Sequence, residues 1–145
     1  MLPETSSESV IQNPESKMPM TSYHPAFLCF IRDFNAGRYF EAHEHLEEAL
    51  DATEGIINAW ELSVGLIQIA VGYHKCTSDH PGGGKMLGLG LEKVASLPDV
   101  CNGVCLEELR QRLREDLADI QGVKGRLTKD PPRIMLASGS MKKRT

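Results

Sequence analysis

Hydrophobic residues recur along most of the chain with the spacing of three and four residues that is typical of helices. The clearest stripe lies near the C-terminal end and consists of Leu106, Leu109, Leu113, Leu117 and Ile120. Charged residues fill the positions between them, as in an amphipathic helix that closes a bundle or packs against a second copy. No stretch alternates with a period of two, so we expect no sheet.

Four further helices are predicted upstream from the same periodicity and from residues that start and stop helices. Thr21 or Ser22 is expected to cap the first helix, and Gly37 to end it. The other three are expected over about residues 39–52, 56–75 and 85–96. The pattern therefore predicts an all-α, single-domain bundle of about five helices.

The two ends of the chain differ from its middle in composition. Residues 1–22 are rich in Ser, Pro, Glu and Thr, and the chain after Pro131-Pro132 is rich in Ser, Gly and basic residues. Such segments bury too little apolar surface to offset the entropy lost on ordering. We expect disordered tails around one domain: an arm at 1–22, a helical domain at 23–128 and a flexible basic tail at 129–145.

Composition narrows the class of protein without naming an activity. The 145 residues allow one domain with tails, and 41% hydrophobic and 25% charged residues are ordinary for a globular protein. The formal charge of −4 disfavours a nucleic-acid binder, which needs a basic surface. Polar residues interrupt the most apolar segment, residues 56–73, which disfavours a membrane span. An acidic start without an apolar stretch disfavours a secretory segment, so we expect a cytoplasmic protein.

The predicted second helix carries the candidate chemistry. At about 100° per residue, His43 and Glu47 share an arc with the apolar residues Tyr39, Phe40, Leu46 and Leu50. We expect His43 and Glu47 to face the core, and Glu41, His45 and Glu48 to face solvent. Burying an imidazole and a carboxylate is costly unless each finds a polar partner.

Candidate partners lie on two faces of the predicted third helix. Gly65 and Gly72 mark a face that allows close approach of another backbone. If the second helix packs on that face, His43 and Glu47 meet Gln68 and Glu61. If it packs on the opposite face, they meet His74. The sequence does not choose between the two packings, but two imidazoles with one or two carboxylates would suit a divalent metal ion.

A family resemblance is carried by two strings, Tyr39-Phe40-Glu41-Ala42-His43-Glu44-His45-Leu46-Glu47 and Gly65-Leu66-Ile67-Gln68, with His74 further on. Over about residues 26–97 the chain resembles the domain-of-unknown-function family numbered 309. The resemblance implies a small all-α bundle, no established activity, and an intracellular setting or a plastid one in a photosynthetic eukaryote. It also places the family's polar signature on Glu41, His43, Glu44, Glu47, Gln68 and His74.

Two positions depart from that family's pattern. Leu50 stands where the family usually has Trp, and Gly82, Gly83 and Gly84 belong to a loop that replaces the usual Gly-Asn and Gly-Ala pattern. If these positions shape a pocket, the pocket of this chain differs from that of its relatives.

We therefore predict an interhelical pocket for a divalent metal ion or a small polar ligand, lined by His43, Glu44, Glu47, Gln68 and His74. The metal would be bound by His43, Glu47 and His74. For an enzyme, metal-assisted hydrolysis is the leading expectation. The alternative is a non-catalytic interaction or scaffold domain in which the same residues form a buried polar network. Expected partners are a small ligand, a protein or a second copy, not a membrane or a nucleic acid.

Overall fold

A computed structural model of the chain describes residues 25–137, and most of these are helical. The α-helices within that range are α1 (Pro25–Asn35), α2 (Tyr39–Glu48), α3 (Ala59–Thr77), α4 (Gly83–Val94) and α5 (Glu107–Gln121). The predicted all-α bundle of five helices is confirmed. The expected cap at Thr21 or Ser22 and the expected arm at residues 1–22 lie outside the described residues.

Two helices begin later or end earlier than the sequence pattern predicted. α2 ends at Glu48, and the chain continues as a 3₁₀ turn over Leu50–Thr53. α3 begins at Ala59 because Asn58 takes a left-handed conformation with φ of 66°, which interrupts a right-handed helix. None of the helices in the described part of the chain is long and apolar enough to cross a membrane.

Three short strands correct the expectation that there is no sheet. They are β1 (Val100–Cys101), β2 (Val104–Cys105) and β3 (Met135–Leu136), which pair antiparallel in the order β1-β2-β3. Strands of two residues are too short to show an alternating pattern. The turn between β1 and β2 is Asn102-Gly103, with φ of 50° and 86°, a dipeptide that favours tight hairpins.

Part of the expected flexible tail at 129–145 packs against the helices. Ile134 is 1% exposed, and β3 pairs Met135 with Cys105. The side-chain amide of Asn35 donates to the Ile134 carbonyl (3.0 Å), and its oxygen accepts from the Ile134 amide (2.7 Å). These contacts hold the chain after Pro132 in place, which corrects the expectation for residues 131–137. Residues 138–145 lie outside the described residues.

The centre of the molecule is α3, which packs against both α2 and α4. Its glycine face meets α4, because a Cβ atom on Gly72 would lie 2.9 Å from the backbone nitrogen of Leu87. α2 therefore occupies another face of α3, where the ring of Phe40 lies 5.3 Å from that of His74. Of the two packings that the sequence left open, the structure shows the one that brings α2 to His74.

Candidate functional site

The candidate site is an open cleft where the start of α2 meets the end of α3. The cleft has a volume of about 540 Å³ and is lined by Gly37, Arg38, Tyr39, Phe40, Glu41, His74, Thr77 and Ser78. Gly37 takes a φ of 83°, a left-handed conformation that glycine adopts without strain. It ends the turn after α1 and so positions Arg38 and the first residues of α2 at the edge of the cleft.

Phe40 is the aromatic centre of this surface. Its side chain is 47% exposed, and its ring lies 4.7 Å from that of His43 and 5.3 Å from that of His74. The ring of His80 lies 6.2 Å from that of His74. His43, Phe40, His74 and His80 thus form a row of neighbouring rings, and of these Phe40 and His74 line the cleft.

The arc of α2 that faces the core overlaps only in part with the one that the sequence predicted. The buried residues of α2 and the position after it are Tyr39, Ala42, Leu46 and Ala49. Phe40 and Glu47 lie outside this arc, and the Glu47 side chain is 56% exposed. The expectation that Glu47 faces the core is therefore wrong, while His43 lies at the boundary with its side chain 12% exposed.

His43 and Glu47 form a pair on the flank of α2. Nδ1 of His43 lies 2.5 Å from the carbonyl oxygen of Phe40. Because a carbonyl oxygen can only accept, Nδ1–H donates to it, and a neutral imidazole then keeps its lone pair on Nε2. Nε2 lies 3.7 Å from Oε1 of Glu47. The pair presents a nitrogen and an oxygen donor on the same flank of α2, the nitrogen on a mostly buried ring and the oxygen on an exposed side chain.

The other predicted site residues are less closely connected. Glu44 is exposed, and Oε1 of Gln68 is buried without a hydrogen-bond partner in the part of the chain that the structure describes. A buried polar network of these residues is the alternative that the sequence analysis offers. Among the described residues, the exposure of Glu47 and the unpartnered Oε1 of Gln68 do not match such a network. Between residues 25 and 137, no three His, Cys, Asp or Glu side chains are grouped so that they could hold a metal ion. The binding role of the five residues stays a prediction.

A polar centre that the sequence pattern did not predict fixes the turn between α1 and α2. Asp33 is 4% exposed and accepts hydrogen bonds from Nη2 and Nε of Arg38, at 2.7 and 3.2 Å. Nε2 of His45 donates to the other carboxylate oxygen at 3.0 Å. Burial raises the pKa of the Asp33 carboxyl, but hydrogen bonds and charges of Arg38 and Arg32 outweigh it, so the pKa lies below 3.8.

His45 is therefore only partly a solvent-facing residue, which corrects the expectation for its side of α2. Its side chain is 33% exposed and pairs with the buried Asp33. The sequence held one signal for this centre: Asp33 lies beside Phe30 and Phe34 on the apolar face of α1. A carboxylate in that position requires partners. The centre holds Arg38 at the edge of the cleft.

A second buried centre lies on the core side of α3. The hydroxyl of Tyr73, next to His74, donates to Oδ2 of Asp116 in α5 at 2.5 Å. Asp116 is 0% exposed, and its Oδ1 has no hydrogen-bond partner among the described residues. Burial raises the pKa of Asp116 above 3.8, although the Tyr73 hydrogen bond and the charge of Arg112 lower it. This contact fixes α5 against the helix that carries His74.

Comparison with known proteins identifies a matching family but assigns no activity. No curated protein matches the chain. The sequence model of a family described as a domain of unknown function matches residues 27–87. This segment runs from α1 into α4 and includes the cleft, the His43–Glu47 pair and Gln68. Over this segment the chain is similar to the domain-of-unknown-function family DUF309, which confirms the resemblance that its sequence strings indicated.

Proposed function

We propose that this protein binds a divalent metal ion or a small polar ligand at the flank of α2, with His43 and Glu47 as its main contacts. The proposal rests on the geometry of that pair. Histidines that bind metals usually donate their other ring N–H to a carbonyl or carboxylate, as Nδ1 of His43 does to Phe40. Nε2 is then held ready to bind.

The distance between the two donor atoms fits a metal ion. Bonds from zinc to imidazole nitrogen and carboxylate oxygen are about 2.1 Å, so two such bonds span at most about 4.2 Å. The observed 3.7 Å between Nε2 of His43 and Oε1 of Glu47 lies within this span, so the two atoms could bind one metal ion. With two protein ligands, the remaining positions belong to water or to a bound ligand.

Two of the remaining candidates are proposed to contact the ligand. His74 lines the cleft, and Phe40 contacts both imidazoles, so a ligand bound at His43 would meet these two rings. Glu44 is exposed on the same helix and is proposed to complete the ligand set. Gln68 shares the glycine face of α3, which meets α4 and not α2, so we leave it out of this set.

Calorimetric titration of Zn²⁺ into full-length, tag-free protein freed of metal tests this proposal. We expect one ion per chain in the wild type and an affinity at least about tenfold weaker in His43→Ala and in Glu47→Gln. Glu48→Gln is the matched control, since Glu48 is exposed on the same helix. Equal affinity in all variants, or no binding by the wild type, would refute the metal site.

A second candidate function is that of a non-catalytic interaction domain. It is favoured by the exposure of Phe40, because half-exposed aromatic side chains are common anchors in protein interfaces. In this role, Phe40→Ala abolishes co-purification of a partner, whereas His43→Ala retains the partner even after zinc binding is lost. If Phe40→Ala retains the partner, this second function is refuted, and the ligand site remains the only function proposed for this surface.

A further inference from the structure

A second exposed apolar surface lies away from the cleft, at the start of α3. Its members are Ile57, Trp60 and Val100, which are 77%, 49% and 53% exposed, and we call them the Trp60 patch. Ile57 and Trp60 are three residues apart, and Val100 belongs to β1. The side-chain amide of Asn102 donates to the Ile57 carbonyl at 3.2 Å, which fixes the β1–β2 hairpin against the start of α3.

Acidic residues adjoin the members of the patch along the chain. Each apolar member has an exposed acidic neighbour within three residues, namely Glu54, Glu61 and Asp99, of which Asp99 is already paired with Arg110. Glu61 also lies close to the hairpin: burial raises the pKa of the Cys101 thiol, and the negative charge of Glu61 raises it further. An apolar centre with an acidic rim is complementary to a surface that combines apolar and basic side chains.

The indole of Trp60 already contacts a cation in this structure. Nζ of Lys93 in α4 lies 5.5 Å from the centre of the ring, within the distance for a cation–π interaction. Trp60 at 49% exposure keeps much of its surface free for a partner. A partner that supplies Lys or Arg could therefore bind both to the ring and to the carboxylate of Glu61.

We propose that the Trp60 patch binds a basic amphipathic segment of a partner protein, whose apolar side chains cover Ile57, Trp60 and Val100 and whose Lys or Arg side chains pair with Glu61 and Glu54. The formal charge of −4 for the whole chain favours the approach of such a partner. Two copies of the chain facing each other through this patch would bring like charges together, which disfavours self-association. The proposal is independent of the ligand site on α2.

Trp60 provides the readout, because it is the only tryptophan of the chain. The probe is a synthetic amphipathic helix of Leu and Lys, titrated into the full-length protein while the emission of Trp60 is recorded. We expect a saturable blue shift at one peptide per chain, since the peptide removes the indole from water. The corresponding Leu and Glu peptide is expected to give no shift.

Variants assign the binding to the patch. Ile57→Ser and Glu61→Gln are each expected to raise the dissociation constant about tenfold. The matched controls change comparable residues elsewhere: Val123→Ser, at 106% exposure, and Glu48→Gln on α2 are expected to bind like the wild type. Circular dichroism verifies that each variant is folded, and Val100→Ser replaces Ile57→Ser if the latter fails to fold.

Three results would overturn the proposal. The first is the absence of a saturable shift with the basic peptide. The second is an equal affinity of the wild type, Ile57→Ser and Glu61→Gln, or equal binding of the acidic peptide, because either result places the contact elsewhere. The third is a shift of Trp60 emission with protein concentration alone, together with a dimer in analytical ultracentrifugation, which assigns the patch to self-association.

Discussion

The buried carboxyl of Asp116 depends on Tyr73 for a hydrogen bond. Only one oxygen of the Asp116 carboxyl accepts a hydrogen bond from the described residues, and that bond comes from Tyr73. Since burial raises the pKa of Asp116, ionisation of this group costs folding free energy as the pH rises above 3.8. The Tyr73 hydroxyl reduces that cost by stabilising the carboxylate.

We predict that Tyr73→Phe lowers the free energy of unfolding by about 1 to 3 kcal/mol at neutral pH, because it leaves the buried carboxylate without this donor. The loss should shrink below pH 3.8, where Asp116 is protonated in both the folded and the unfolded chain. Urea unfolding from pH 3 to 7 measures both effects. Tyr39→Phe, which removes the same atom from another buried ring, is the control.

The candidate site could be predicted only in part from the identity of its residues. The spacing of His43 and Glu47 correctly placed them within reach of each other on α2. The prediction that Glu47 faces the core was wrong. Tyr39 and Phe40 are adjacent aromatic residues, and a helical wheel is consistent with either of them at the edge of the core. In the structure Tyr39 is the buried one, with its ring 5.0 Å from that of Phe34 and 5.9 Å from that of Tyr73.

At the scale of elements, the closest packing is the crossing of α3 and α4. Gly65 and Gly72 of α3 face α4, and Gly90 of α4 faces back toward α3. The sequence predicted the glycine face of α3 but not its partner, because periodicity identifies a face and not the helix that covers it. The Gly65-Leu66-Ile67-Gln68 string, which carries the family resemblance, thus contributes to the packing of α3 against α4.

Two alanine substitutions in α4 test this crossing. A Cβ atom on Gly90 would lie 2.9 Å from the carbonyl oxygen of Gly65, whereas a Cβ atom on Gly88 would meet nothing within 4 Å. We predict that Gly90→Ala destabilises the fold by about 1 to 3 kcal/mol through overpacking. Gly88→Ala should stabilise it by about 0.5 to 1 kcal/mol through helix propensity.

Thermal and urea unfolding of both variants give the comparison, since the two substitutions add the same methyl group to the same helix. A stabilised Gly90→Ala would show that α3 and α4 separate at little cost and would contradict the close crossing.

At the scale of the whole molecule, the helices could be predicted because their apolar stripes repeat over several turns. The sheet could not, since strands of two residues carry no period, although Asn102-Gly103 signalled the hairpin. The packing of residues 131–137 was also missed. Ile134, Met135 and Leu136 form only a short apolar run before a basic, glycine-containing end, and Asn35, the polar partner of Ile134, lies 99 residues earlier in the chain.

Asn35 and Ile134 therefore test whether the C-terminal segment is part of the cooperative fold. We predict that Ile134→Ala lowers the free energy of unfolding by about 2 to 5 kcal/mol, because it leaves a cavity at a fully buried position. Asn35→Ala should cost about 1 to 3 kcal/mol by leaving the amide and carbonyl of Ile134 without their partner. Met135→Ala, at a position 52% exposed, is expected to change stability by no more than about 0.5 kcal/mol.

Urea unfolding combined with limited trypsin digestion distinguishes local from global effects. If the segment belongs to the fold, Ile134→Ala lowers the unfolding midpoint and accelerates cleavage at Arg133 and at sites within the helices together. If cleavage accelerates at Arg133 alone while the midpoint stays unchanged, the segment opens independently of the bundle. Because β3 pairs with β2, an independent opening would also release the edge of the sheet whose hairpin carries Val100 of the Trp60 patch.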